Sequence, residues 1–317
     1  MVKAILLFST GLDSILAFYL LKKLEVDIVV LFVKTPFNKI NENVLKEIKK
    51  ETKVIVYESG EDYLQIVKNP KFGYGKQTNP CIDCKIYMYK IAKKFLEEEK
   101  ADFIATGEVL NQRSFSQTLD KLKLIEKEAG IEGVVVRPLS AKLLPKTLAE
   151  KKGLIDREKL LDIKGRGREK QLKLVKDLGI SVYSQPAGGC LLTDPMFSKR
   201  LEDLMEHNPN FTLEDVELLK IGRHFRIGNS KLILGRDENE TKTLEKMRNH
   251  LVLKPKNKGP SGIFIGEESD LMLAYEILAS YCKDEKVVIE LLKNGEKIKE
   301  VEVQRKKREE FRKYLIG

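Results

Sequence analysis

The sequence of 317 residues contains no tryptophan, three histidines and four cysteines. Four cysteines in a chain this long cannot be the disulfide framework of a small secreted domain. His207, His224 and His250 stand in no metal-ligand spacing and read as structural or surface residues. No apolar run reaches the roughly 18 residues that a membrane-spanning helix needs, so no such helix is expected. The opening run Ala4 to Phe8 passes directly into Ser9-Thr10-Gly11 without a small-residue cleavage site. It therefore reads as a strand and not as a leader. Internal repeats and low-complexity linkers are also missing.

What is present sets the class. Hydrophobic residues make up 42% of the chain, enough for a sizeable core, and charged residues 33%. That charge content, with no tryptophan, suits a heat-adapted cytosolic protein. The 58 Lys+Arg against 48 Asp+Glu leave a net charge of +10, which favours a polyanionic partner: RNA, DNA or a membrane surface. The length is about twice that of a typical domain, so two domains are expected.

The first half alternates strand-like and helix-like segments. Strands are expected at Ala4 to Phe8, Asp27 to Val33, Lys53 to Tyr57 and Phe103 to Thr106, and helices from Ser14, at Asn41 to Glu51 and at Ile86 to Glu99. Such alternation implies βαβ units and a parallel sheet, with ligands bound beyond the strand C-termini. Val134 to Val136 and Ile180 to Tyr183 extend the pattern. From about Asp194 the texture changes to short β-like segments (His224 to Ile227, Lys231 to Leu234, Ile263 to Ile265, Val287 to Leu292) and a charged helical tail, Gln304 to Lys313. The boundary is placed between Ser184 and Phe197, giving an α/β domain over 1–184 and a smaller α+β domain over 197–317.

Ser9-Thr10-Gly11-Leu12-Asp13-Ser14 lies at a strand–turn–helix junction. Backbone N–H groups there can cradle phosphate, aided by the positive end of the helix dipole. Asp13 would hold either Mg²⁺ or the loop. A plain helix cap by Ser9 or Asp13 explains the same residues. The spacing is not that of a Walker A loop. The hexapeptide resembles the S-G-G-x-D-S loop of the PP-loop ATP pyrophosphatases, with Thr10 where the first glycine stands. Those enzymes cleave ATP between the α and β phosphates to form adenylates. A further tract, Thr106-Gly107-Glu108 through Gln112 to Ser116-Gln117-Thr118-Leu119, resembles that of tRNA 4-thiouridine synthetases, and Arg137-Pro138-Leu139 matches a strand-end triplet of theirs. This resemblance runs over roughly Met1 to Tyr183. It implies a PP-loop domain binding ATP and Mg²⁺ through Ser9 to Ser14, with Val33, Gly107 and Gln112. Lys164-Gly165-Arg166-Gly167-Arg168 is a basic turn; Arg166 and Arg168 would clamp RNA or ATP phosphates, or simply be solvated.

Cys81 and Cys84 form a C-x-x-C at a helix start. A half-site for zinc, a redox pair and an iron–sulfur ligand set are all compatible with it. Cys190, in a Gly-Gly-Cys turn, is the candidate third ligand, whereas Cys282 in an apolar stretch reads as a core thiol. Asn79-Pro80-Cys81-x-x-Cys84 resembles the motif of tRNA 2-thiouridylases; with one distant cysteine the set resembles cluster-dependent thiouridine synthetases. A [4Fe–4S] cluster on Cys81, Cys84 and Cys190 is favoured, persulfide chemistry on the same cysteines being the alternative.

In the second half, Arg223, Arg226, Lys256 and Lys258 sit on short strands and loops and could meet a phosphate backbone. Residues 211–266 resemble the RNA-binding domain of NFACT proteins. Together these resemblances imply a cytoplasmic, ATP-dependent tRNA sulfurtransferase in which Asp13, Cys81, Cys84 and Cys190 carry the chemistry. A PP-loop ligase acting on a small molecule and a non-enzymatic RNA-binding factor are the alternatives. The sulfur donor, the uridine modified and a homodimer stay open.

Overall fold

The computed structural model describes residues 1–38, 40–181, 183 and 189–317. These form two compact units, Met1–Thr193 and Asp194–Gly317. The expected strand around Val182 and the turn at 185–188 fall on or beside residues outside the described set; Ile180, Ser181 and Tyr183 are described and are not in a strand.

The first unit runs β1 (Lys3–Leu7), α1 (Leu12–Lys23), β2 (Asp27–Lys34), α2 (Glu42–Glu51), β3 (Val54–Glu58), α3 (Glu61–Lys68), α4 (Cys81–Glu98), β4 (Phe103–Thr106), α5 (Leu119–Ala129), β5 (Val135–Val136), α6 (Leu148–Lys151) and α7 (Glu169–Asp177). Its five strands form one sheet in the order β3-β2-β1-β4-β5, and every pair is parallel. Residues Ile28 to Val33 of β2 are all buried. Such a continuous apolar run is what a strand covered on both faces requires. Ala4, Leu6, Val30 and Ala105 face one core with Ile15 and Phe18 of α1, while Ile5, Val29 and Ile104 face another with Ile82 and Tyr89 of α4. The chain leaves β1 toward β2 on one side and reaches β4 on the other. The order thus reverses at β1, and sheets of this kind leave their ligand crevice beyond the C-terminal ends of the strands at that point, here β1 and β4.

The second unit contains α8 (Pro195–His207), α9 (Leu213–Leu219), β6 (Arg223–Ile227), β7 (Ser230–Leu234), α10 (Glu238–Glu245), β8 (Leu251–Pro255), β9 (Gly262–Ile265), α11 (Leu271–Ala279), β10 (Lys286–Lys293) and β11 (Glu296–Gln304). Six strands make an antiparallel sheet, β11-β10-β8-β9-β7-β6. Its core gathers Phe225, Leu253, Phe264 and Ile289 against Ala274, Ile277 and Leu278 of α11. Cys282 is buried in the same core at 3% exposure. The helical tail expected at Gln304 to Lys313 is replaced by the end of β11 and a 3₁₀ segment, Arg308–Tyr314. The hairpin before it turns on Asn294 (φ 55°) and Gly295 (φ 88°), the left-handed pair that a tight turn between twisted strands demands. Among the described residues, no helix is long and apolar enough to cross a membrane.

Candidate functional site

The loop after β1 opens the site. Thr10 has φ 58°, a left-handed conformation that is costly for a β-branched residue, by about 1–3 kcal/mol. This is where the resembling loops carry glycine. Thr10 is buried, and its hydroxyl accepts from the Asn41 backbone N–H at 3.2 Å. Gly11 is the N-cap of α1 and supplies no side-chain capping bond. The plain-cap reading is therefore set aside: Ser9 and Asp13 do not cap the helix. Ser14 Oγ instead donates to Gly11 O (2.8 Å) and accepts from Ser9 N (3.3 Å), with Ser9 Oγ also 3.3 Å away. The loop is thus self-braced, and among the described residues no side chain caps the start of α1, an arrangement suited to an anion.

Asp13 faces inward from the first turn of α1. Gln112 Nε2 donates to its Oδ2 at 2.7 Å, Gln171 Nε2 lies 3.4 Å from its Oδ1, and Arg168 Nη1 stands 3.6 Å from Oδ2. Of the two roles open to Asp13, holding the loop is the one its partners support. Gly107, immediately after β4, explains how the second loop comes so near. A Cβ there would lie 2.4 Å from the Asp13 carbonyl carbon and 2.5 Å from Ser14 N, so only glycine fits. Val33 is buried at the end of β2, where its carbonyl accepts from Asn38 Nδ2 at 2.8 Å.

Glu108 anchors the second loop from beneath. It pairs with Lys85 (2.6 Å) and Arg137 (2.9 Å) and accepts from the Tyr89 hydroxyl (2.6 Å), while Arg137 also pairs with Glu126 at 2.5 Å. Burial alone would raise the Glu108 carboxyl, but the two cations override it and hold it at about 2. Lys85 further donates to Ser116 O at 3.1 Å, tying α4 to the second loop.

The cysteines converge beside it. Cys81 and Cys84 occupy the first turn of α4, whose N-cap, Pro80, offers no side-chain bond. Cys190 is drawn in by an isolated bridge to Asn38 and by Leu191 N–H donating to Phe37 O at 2.8 Å. Asn79 Nδ2 reaches Cys190 Sγ at 3.5 Å, and the buried Tyr63 hydroxyl donates to Cys84 Sγ at 3.0 Å. The thiols feel one another's charge. Burial pushes Cys84 up to about 12, against the pull of the Tyr63 hydrogen bond, and Cys190 up to about 11, against a Leu192 backbone hydrogen bond. As free thiols both are weak nucleophiles at neutral pH. The donor set suits an iron–sulfur cluster in kind. Among the described residues, however, no three His, Cys, Asp or Glu side chains stand at metal-binding spacing.

Three consecutive residues join these parts. Gln112 holds Asp13, the charge of Arg113 acts on Cys190, and Ser114 Oγ accepts from Arg166 Nη2 at 3.2 Å. The basic turn is itself pinned to this loop, through a bridge between Leu110 and Lys164 and Gly165 N–H donating to Leu110 O. The structure brings Gln112 to Asp13 and Arg166 to Ser114, and it adds Gln171, Tyr63 and Arg113, which sequence reasoning did not single out.

The basic residues proposed for the second unit are placed differently from one another. Arg226 makes a two-pronged pair with Asp203 (2.8 and 2.7 Å), and Lys256 pairs with Glu300 at 2.8 Å. Lys258 lies near Glu238. Arg223 donates to Gly235 O and lies over the Tyr281 ring at 5.3 Å; Arg308, not singled out from sequence, covers the same ring at 4.5 Å.

Comparison with known proteins gives two separate family matches. Residues 1–143 match the family described as "Thiamine biosynthesis protein (ThiI)", and residues 222–315 match "NFACT protein RNA binding domain". A curated "Probable tRNA sulfurtransferase" of Methanocaldococcus jannaschii is 32% identical over 142 residues, 43% of this chain and 36% of that protein. The chain thus spans little more than a third of that relative. Two solved structures are similar: a 4-thiouridine synthetase–RNA complex with bound ATP (24% identity, TM-score 0.34, 56% of this chain and 51% of that one), and a predicted tRNA methyltransferase subunit from Methanocaldococcus jannaschii (16% identity, TM-score 0.36, 68% and 91%). The two matches fall in different units of the fold, the first on residues 1–143 and the second on residues 222–315.

Proposed function

We propose that this chain is an ATP-dependent tRNA sulfurtransferase acting in the cytoplasm. The observation that carries the reading is the meeting, at the crevice where the strand order reverses, of an uncapped helix N-terminus, the Gly107–Ser116 loop and three cysteines. The loop Ser9 to Ser14 and the start of α1 would bind the ATP phosphates, with Mg²⁺ entering on the nucleotide. A uridine carbonyl oxygen would attack the α-phosphorus and release pyrophosphate. Sulfur delivered at the cysteines would then attack the activated carbon, and AMP would leave with the original oxygen. Arg166 and Arg168 would neutralise phosphate charge beside this centre.

Cys81, Cys84 and Cys190 are the residues that would hold a [4Fe–4S] cluster, which when bound would supply an open iron able to carry sulfide. Tyr63 and Asn79 would orient Cys84 and Cys190 for this role.

The test measures AMP formation from ATP with and without bulk tRNA, together with thiolated nucleosides by mass spectrometry. AMP and thiouridine that both require tRNA are expected, and no AMP in any condition sinks the reading. Serine at Cys81, Cys84 or Cys190 should abolish thiolation, whereas Cys282→Ser should leave it intact. Anaerobically purified protein should carry iron; full thiolation without iron would assign the three cysteines to persulfide chemistry.

A further inference from the structure

Gln171 lies on α7, beyond the segment that matches the ThiI family, and its side chain is fully buried, at 0% exposure. Its amide group performs two tasks at once. One N–H points to Asp13 Oδ1 (3.4 Å) and the other to Gln112 Oε1 (3.3 Å), while Gln112 Nε2 donates to Asp13 Oδ2 (2.7 Å). Three side chains thereby close a ring in which each carboxylate oxygen of Asp13 accepts from a different amide.

The direction of this ring is enforced. Gln171 Oε1 is buried with no donor in reach among the described residues. A buried carbonyl left without a donor is unfavourable, and rotating the amide by half a turn would reposition it. That rotation, however, would set Oε1 against the Asp13 carboxylate and against Gln112 Oε1, three acceptors facing one another. The amide is thus held in the orientation that leaves its own oxygen unmatched. Because Gln171 donates to Gln112 Oε1, it also decides which end of the Gln112 amide meets Asp13. Arg168, at the N-cap of the same helix, adds its charge 3.6 Å from Asp13 Oδ2.

We propose that Gln171 is a positioning residue for the ATP-dependent step: through Asp13 and Gln112 it fixes the nucleotide loop on α1 relative to the loop after β4. The assignment rests on the proposed ATP chemistry of that crevice, and it places part of the nucleotide site's support on a helix outside the matched family segment. A misplacement of about 1 Å at a reacting centre can cost on the order of 100-fold in rate.

The test uses the full chain with Gln171→Leu, Gln112→Leu and the double variant, each checked for an unchanged melting profile. Gln171→Leu should lower kcat for tRNA-dependent AMP formation by about 10- to 100-fold, with the KM for ATP moved less than about threefold. Because the two glutamines act as one unit, the double variant should be no slower than the worse single one. Wild-type kcat in Gln171→Leu, or a double variant whose loss equals the product of the single losses, would overturn the assignment. A parent chain that forms no AMP would instead remove the proposed activity. The positioning role is then decided by amide hydrogen exchange at Leu12 to Leu16: protection falling by about tenfold or more in Gln171→Leu supports it, and unchanged protection refutes it.

Discussion

Glu108 shows how much the site depends on a single buried charge. It is held by Lys85 from α4, Arg137 from the end of β5 and Tyr89, and its carboxyl sits at about 2 instead of the ordinary 4.5. A carboxyl whose folded value is depressed contributes stability that is fully present above its unfolded value and is lost as pH falls through the folded one. That contribution should therefore be complete above about pH 5 and vanish toward pH 2. Glu108→Gln leaves the buried Arg137 and the partly buried Lys85 undercompensated, with an expected cost of about 3 kcal/mol at pH 7. Urea denaturation at pH 7 and pH 3 checks it: the gap between the two proteins should narrow at pH 3. An equal gap at both pH values would mean that the loss comes from packing and not from charge.

At the scale of elements, the close approach of the β4 loop to α1 is set by Gly107. Gly107→Ala forces a methyl into the Asp13–Ser14 peptide, so the loop or the helix must retreat. The expected cost is about 1–3 kcal/mol in stability, with ATP affinity lowered tenfold or more, by titration calorimetry. Near-normal ATP binding would show that the two loops need not touch. This pairing also marks what could be read in advance. The strands at Ala4 to Phe8 and Asp27 to Val33 were legible because burial on both faces writes a continuous apolar run, and the Ser9 to Ser14 turn because a polar hexapeptide interrupts it. The Asp13–Gln171 contact was not, since its partners lie 158 positions apart and an amide on a charged helix carries no local signal. β11 was not read from the sequence, because its side chains are nearly all exposed, which erases the alternation that reveals a strand. The Asn294-Gly295 turn was the available cue.

For the whole molecule, the net charge of +10 becomes informative once charges that are spent internally are separated from those that are not. Arg226 and Lys231 both close on Asp203, and Arg236 closes on Glu240. Arg223 and Arg308 make no carboxylate pair among the described residues. Each is anchored to a backbone carbonyl, Gly235 O or Ser280 O, and both lie over Tyr281. A guanidinium fixed on an aromatic ring and lacking a carboxylate keeps donors for phosphate at little further entropic cost. If the second unit captures RNA, Arg223→Ala and Arg308→Ala should each weaken tRNA binding and reduce the slope of log K against log salt by about 1. Arg226→Ala should leave that slope unchanged and instead lower the melting temperature, since it opens a partly buried pair with Asp203. Filter binding at several salt concentrations distinguishes the two classes. A slope that responds to Arg226 and ignores Arg223 and Arg308 would move the RNA surface to the other side of that ion pair.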